Sequence, residues 1–161
     1  MRIVWFSWKD HAHPAAGGAE VVKTELAKRL VADGHELTIL TARYPGSKQS
    51  ETHDGYTIIR LNNWARLGVY WNGWLYYRKH LKDWPDVVID EVNTLPFFAA
   101  FYSKKPTILF IHQLARQIWF HEMFFPLNGI GFCLEPIYLW LQRRKPVITV
   151  SDSTRRDLLR F

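Results

Sequence analysis

At 161 residues and 48% hydrophobic content, the chain has the length of one domain with a full core, which excludes a largely disordered protein. Its formal charge of +6 and pI near 9.5 favour acidic partners, a condition met by nucleotide diphosphates, phospholipid headgroups and nucleic acid alike. One cysteine, Cys133, excludes an intrachain disulfide framework and fits a reducing cytosol.

Met1-Arg2 leads straight into an apolar run, without the longer apolar core and cleavage site of a signal peptide. Export is therefore not expected, and a cytoplasmic location is. The run Ile3–Trp8 predicts a buried strand, followed by a polar loop with His11 and His13 and then by Gly17-Gly18-Ala19-Glu20, which opens a helix. The glycines let a ligand approach the backbone, and the helix start offers unpaired N–H groups and the positive end of its dipole. An anionic sugar nucleotide or a phosphorylated acceptor suits such a site; glycines that serve only local sterics are the competing explanation. Dinucleotide folds open with the same elements, but their G-x-G-x-x-G turn follows the strand at once and their second strand ends in an acid. Here the loop is long and the second strand closes with Thr41-Ala42-Arg43, so nicotinamide and flavin binding are not expected.

In the first helix, Val22, Leu26 and Leu30 with Ala19, Ala27 and Val31 are read as one apolar stripe opposite Lys23, Lys28 and Arg29. Asp33-Gly34 ends it, and Leu37–Leu40 supplies the second strand of a β-α-β unit. Residues Tyr44–Gly55 are expected as a surface connection. Later strands are predicted at Thr57–Leu61, Val87–Ile89, Thr107–Ile111 and Val147–Val150. Helices are predicted near Trp71–Leu81, Leu95–Tyr102, Ile118–Phe124 and Leu134–Gln142, and from Ser153 onward with Asp152 or Ser153 as cap. Pro126, Asn128, Glu135 and Pro136 divide the greasiest region, so no transmembrane span is expected.

Several strands are apolar on both faces, which fits a parallel sheet covered by helices. The alternation predicts an α/β fold, a Rossmann-like doubly wound parallel sheet with helices on both faces, whose ligand site lies beyond the C-terminal strand ends. Polar groups that follow the strands converge on that rim: the loop His11–Gly18, then Asp90-Glu91-Val92-Asn93, His112-Gln113 and Ser151-Asp152. Asp90 and Glu91 are adjacent and must point to opposite sheet faces, so at most one faces a substrate.

Gly17-Gly18-Ala19-Glu20, Asp86–Phe98, His112–Glu122 and Thr149–Leu158, in that order, resemble the N-terminal half of a family 4 glycosyltransferase, an enzyme of the two-domain GT-B fold. The resemblance covers nearly the whole chain. It implies one acceptor-side domain over residues 1–161 of a retaining enzyme that transfers a sugar from a nucleotide-sugar donor to a saccharide or lipid-linked acceptor. A C-terminal donor-binding domain lies outside this sequence, to be supplied in cis or in trans, and the chain is expected to be inactive without it. Gly17 and Gly18 inherit a place near donor phosphate and acceptor, with Glu20 supporting or lining their loop. His112 matches the histidine close to the transferred sugar, where a hydrogen bond orients it or stabilises developing charge. Glu91 and Asn93 are implied in acceptor hydrogen bonding, and Arg116 and Ser151, inside the matching runs, in donor-phosphate or acceptor contacts. From position alone, His112 also fits a backbone-bonded histidine, and Glu91 with Asn93 a solvated acid and a turn residue. The resemblance implies no cofactor beyond the nucleotide-diphosphate sugar and no metal, and no Asp-x-Asp occurs here.

His11, His13, His121 and Glu122 lack any H-E-x-x-H or cysteine-pair spacing, so metal binding is not expected. Nucleic-acid binding is not expected either, since no recognition module appears and the basic residues are scattered. Six of the eight tryptophans concentrate with cations in Trp64–Trp84 and Ile118–Arg144. They fit an anionic membrane surface, with the protein peripheral on its inner face, or equally packing on the sheet and stacking on sugars. The alternatives to a transferase half are a non-catalytic domain that binds sugar, phospholipid or protein, and one subunit of a split glycosyltransferase.

Overall fold

The computed structural model describes residues 1–64, 67–122 and 124–160. Its strands are β1 (Arg2–Phe6), β2 (Glu36–Ala42), β3 (Ser50–His53), β4 (Tyr56–Leu61), β5 (Val87–Val92), β6 (Thr107–Ile111) and β7 (Val147–Thr149). They form one seven-stranded sheet in the order β3-β4-β2-β1-β5-β6-β7. Every pairing is parallel except β3 with β4. The expected Rossmann-like α/β sheet is thus present. The Tyr44–Gly55 segment differs from its expected role: its second half pairs Ser50–His53 with Tyr56–Ile59 as an edge hairpin, turning through Asp54 and Gly55 at positive φ.

Side-chain alternation divides the central strands between two cores. Val4 and Phe6 of β1, with Leu40 and Val88, pack beneath α2 (Gly68–Tyr76), its π-helical extension Tyr77–Leu81 and α3 (Ala99–Tyr102). Ile3 and Trp5, with Ile39, Ile58, Ile89 and Phe110, pack on the other face against Val22, Leu26, Leu30 and Val31 of α1 (Gly18–Ala32). Burying each large side chain contributes about 1.5–3 kcal/mol, so the sheet is held from both faces. Gly34, at φ +80°, closes α1 as expected.

Beyond β6 come a 3-10 turn (Arg116–Ile118), α4 (Trp119–Glu122), α5 (Leu127–Gln142) and, after β7, α6 (Asp152–Leu158). Met123 of the expected Ile118–Phe124 helix lies outside the described residues. α5 starts seven residues earlier than expected, at Leu127, while α3 forms only at Ala99. Ser151, rather than Asp152 or Ser153, caps α6, its side chain accepting the Thr154 N–H at 3.2 Å. Among the described residues no helix is long and apolar enough to cross a membrane.

Two helices leave their outer faces uncovered. Leu127, Ile130, Leu134, Ile137 and Leu141 form a three-four stripe along α5 and are all exposed, with Arg143 and Arg144 beyond. Its one charged residue, Glu135, is turned inward at 1% exposure. On α2, Trp71 and Leu75 continue the row from Leu67, and Arg78 lies over Trp74 at 5.0 Å. At the sheet's far edge β7 is short and half-exposed.

Candidate functional site at the C-terminal strand ends

The sheet order reverses beside β1, which has β2 on one side and β5 on the other. β1, β5, β6 and β7 are successive parallel neighbours, so the loops after them share one rim, as the sequence predicts.

A buried polar relay leads to that rim. Glu91 of β5 accepts the Trp5 indole N–H at 3.0 Å through Oε2, which lies 3.6 Å from Lys23 Nζ, while Oε1 lies 3.0 Å from His112 Nε2. Lys23 also donates to Ser7 Oγ and to the Lys9 carbonyl. The Lys23 and Glu91 side chains are 1% and 2% exposed. Burial works to raise the Glu91 carboxyl, but the Lys23 charge, then the His112 hydrogen bond and charge, outweigh it and hold it below the usual range. Ionised Glu91 can only accept, so His112 Nε2 carries the shared proton, and Nδ1 is left without a hydrogen-bond partner among the described residues. The His112 carbonyl accepts from Thr154 Oγ1 at 3.1 Å and its ring meets Phe110 edge-on at 4.7 Å. His112 itself is 8% exposed.

Two sequence readings change here. Lys23 is not on a solvent face. Glu91 is not an open acceptor contact, because both oxygens are committed inside the protein. Asp90 points to the opposite face, as the pleat requires, and is fully buried. It accepts the backbone N–H groups of Phe97 and Ala99, each at 2.8 Å, which folds the segment after β5 into the start of α3. Burial pushes its carboxyl up to about 6, against those two N–H bonds, with Glu91 adding repulsion.

The loop after β1 is anchored by Asp10, which meets Arg60 of β4 at 2.6 Å; Arg60 in turn reaches Glu51 of β3 at 3.0 Å. Asp10 also accepts the Ala12 N–H at 2.8 Å. Edge hairpin and loop are therefore one unit. The His11 ring stacks on His53 at 3.8 Å, and burial, then the His53 charge, lower it. Where α1 begins, Glu20 is buried and its Oε2 accepts the Gly17 N–H at 2.6 Å. One of the N–H groups expected to face a ligand is thus already taken. A Cβ at Gly18 would meet nothing within 4 Å and one at Gly17 only Glu20 Oε2 at 3.8 Å, and neither glycine has positive φ. Nothing inside the domain requires glycine at either position.

Asn93 is half-buried just past β5. Arg116 is exposed at φ 38°, its N–H and that of Ala115 donating to Glu135 at 2.7 and 2.6 Å. Ser151 stands at the rim, its hydroxyl engaged with Ser153 and Thr154. The side chain of Glu122 lies outside the described residues, and among those described no group of three His, Cys, Asp or Glu is placed to hold a metal ion. Lys23, Trp5, Asp10, Arg60 and Thr154 join the site without having been singled out in the sequence.

The family model of Glycosyltransferase Family 4 matches residues 16–161. The chain belongs to glycosyltransferase family 4. No curated protein matches it in sequence. This family 4 domain superposes on sucrose-phosphate synthase from Thermosynechococcus elongatus with a TM-score of 0.59 and 14% identity, covering 92% of the chain and 47% of that structure. The two share a fold, and the family 4 domain spans about half the length of that enzyme. A short-chain dehydrogenase/reductase from Burkholderia vietnamiensis aligns over 99% of the chain and 90% of its own at 13% identity, but a TM-score of 0.45 carries no argument.

Proposed function

We propose that the chain is the acceptor-side domain of a retaining glycosyltransferase. It works with a C-terminal donor-binding domain, in cis or in trans, to move a sugar from a nucleotide-diphosphate donor to a saccharide or lipid-linked acceptor. The observation that carries this reading is the Lys23–Glu91–His112 relay, built into the family 4 fold where the strand order reverses. A buried ion pair is weak support for stability, because desolvation offsets most of its attraction. Its position fits a different task, fixing one imidazole nitrogen so that the other faces the rim.

His112 Nδ1 would accept a sugar hydroxyl and orient the donor; a protonated ring would instead donate toward charge developing on the departing diphosphate. Glu91 is a positioning residue in this scheme. Asn93, Arg116 and Ser151 stand around the rim as candidate contacts to acceptor or phosphate, and Glu20 holds the loop. The room above Gly17 and Gly18 supports close approach of a phosphate to the start of α1. No cofactor or metal is needed. The uncovered apolar faces of α2 and α5, with the net charge of +6, support a peripheral seat on an anionic membrane, at its cytoplasmic side.

The test uses the full-length gene product with a panel of nucleotide sugars. His112→Ala lowers transfer about 10²–10³-fold while donor affinity stays within a few fold. Unchanged turnover would remove His112 from the chemistry. A full-length product that transfers no sugar from any donor would favour a binding domain.

A further inference from the structure

An apolar cavity of about 210 Å³ opens beside the rim, between α2 and α5, walled by Trp8, Tyr70, Leu95, Trp119, Ile130 and Leu134. Trp119 packs directly on Gly131, where any side chain would collide with the indole. The cavity therefore has one firm wall and one, on α5, made of exposed aliphatic residues. From a cavity of 150 Å³ that holds a six-carbon ring, this one holds on the order of eight carbons.

Backbone continuity ties the cavity to the relay. Ser7 takes a hydrogen bond from Lys23, and the next residue, Trp8, lines the cavity. Glu91 and Thr94, which also lines it, are three residues apart, so their Cα atoms lie within about 11 Å. A cation stands next to one wall residue: Lys9 Nζ lies 5.0 Å from the Trp8 ring centroid and donates to the Ala15 carbonyl at 2.9 Å, two residues before Gly17. An apolar hollow, an ammonium beside its Trp8 wall and the glycine loop beyond match the three parts of one molecule: hydrocarbon chain, phosphate and sugar.

Resting on the transferase reading above, we propose that this cavity receives the hydrocarbon chain of a lipid-phosphate-linked acceptor, with Lys9 against its phosphate and the sugar directed to the His112 rim. Apolar side chains of a protein segment would fill the hollow equally well, but they would bring no anion to Lys9, whereas a lipid phosphate brings chain and anion together. The exposed stripe of α5 then continues the cavity wall outward to the bilayer from which such a lipid is drawn.

Farnesyl phosphate is the probe, with farnesol and inorganic phosphate as controls, titrated into the full-length gene product by calorimetry and tryptophan fluorescence. Farnesyl phosphate should bind about tenfold or more tightly than either control. Leu134→Trp, which fills the cavity from an exposed position, should weaken it by about tenfold without moving Tm, and Ile130→Trp repeats the test should the first variant fail to fold. Lys9→Gln should abolish the preference for farnesyl phosphate over farnesol. Equal binding of farnesyl phosphate and inorganic phosphate, or full affinity in both filled variants, overturns the proposal and leaves the cavity to a protein segment. Lipid binding that persists in a full-length product without transfer sinks the transferase reading and keeps the lipid site; transfer to soluble sugars with no lipid binding does the reverse.

Discussion

Lys23 is a cation with almost no access to water, and its energetics depend on Glu91. Removing the ammonium leaves an ionised carboxylate buried without its lysine counter-charge, held by the Trp5, His112 and Ser7 side chains, so Lys23→Met should cost about 3–5 kcal/mol in urea denaturation. A loss below about 1 kcal/mol would mean that water reaches Glu91. The position was legible, though misread. At about 100° per residue Lys23 lies within roughly 60° of Leu26, Ala27 and Leu30, in the middle of the apolar stripe rather than opposite it. Ala19 and Ala27, four residues either side, leave room for its stem. What no single sequence shows is the partner, because Glu91 lies on strand β5, 68 positions away. His112 was legible from its place after an apolar strand and within a family motif, but not the carboxylate that fixes its tautomer.

At the scale of elements, Asp90 couples β5 to α3. Its raised carboxyl gives a definite sign to the pH dependence: with a folded pKa near 6 against an ordinary 3.8, the folded state binds the extra proton. This contribution is complete at low pH and is lost as pH rises through about 6, by about 3 kcal/mol. Glu91, held below the usual range, acts at lower pH, and its contribution is lost as pH falls through its folded value. Subtracting the stability of Asp90→Asn from that of the unaltered chain between pH 4 and 7 should therefore leave a difference that declines with pH. A flat difference would show that Asp90 is ionised throughout. Strand positions were readable because β1, β2, β5 and β6 are buried on both sides and β-branched or aromatic. The Ser50–His53 strand escaped notice because an edge strand needs no apolar alternation; what holds it is Arg60, whose partner Glu51 looked like an ordinary loop acid. α5 began early for the opposite reason. Its first turns, Leu127–Cys133, contain two glycines and Asn128, poor local helix formers.

Considered whole, the molecule has two unlike sides. The α1 side carries Lys28, Arg29 and Glu25 in exposed ion pairs, whereas the α2–α5 side exposes tryptophan and leucine rows, with Phe124 and Phe125 at 83% and 88% exposure ahead of α5. Arg143, 4.1 Å from the Trp140 ring, sits where headgroups would lie. Vesicles containing phosphatidylserine should therefore co-sediment the protein and neutral ones should do so weakly, with added salt reducing the difference. Ile137→Asp with Leu141→Asp should release it. Equal recovery without vesicles would leave the face to a protein partner. The sequence announced both the aromatic density and the net charge, but only folding brings α2 and α5 to one side of the sheet.

The two edges of that sheet are treated differently. One ends in β3, whose Ser-Glu-Thr-His outer strand is polar and pinned by Arg60. The other ends in β7, three residues whose Val147 and Ile148 are exposed to either side and whose outward backbone groups have no neighbouring strand among the described residues. An open edge of this kind is a template, and whatever extended segment meets it first is copied into the sheet. Growth of this fold is thus directional. It is blunted at β3 and permissive at β7, where strand addition from another polypeptide, or mispairing between crowded copies, would begin.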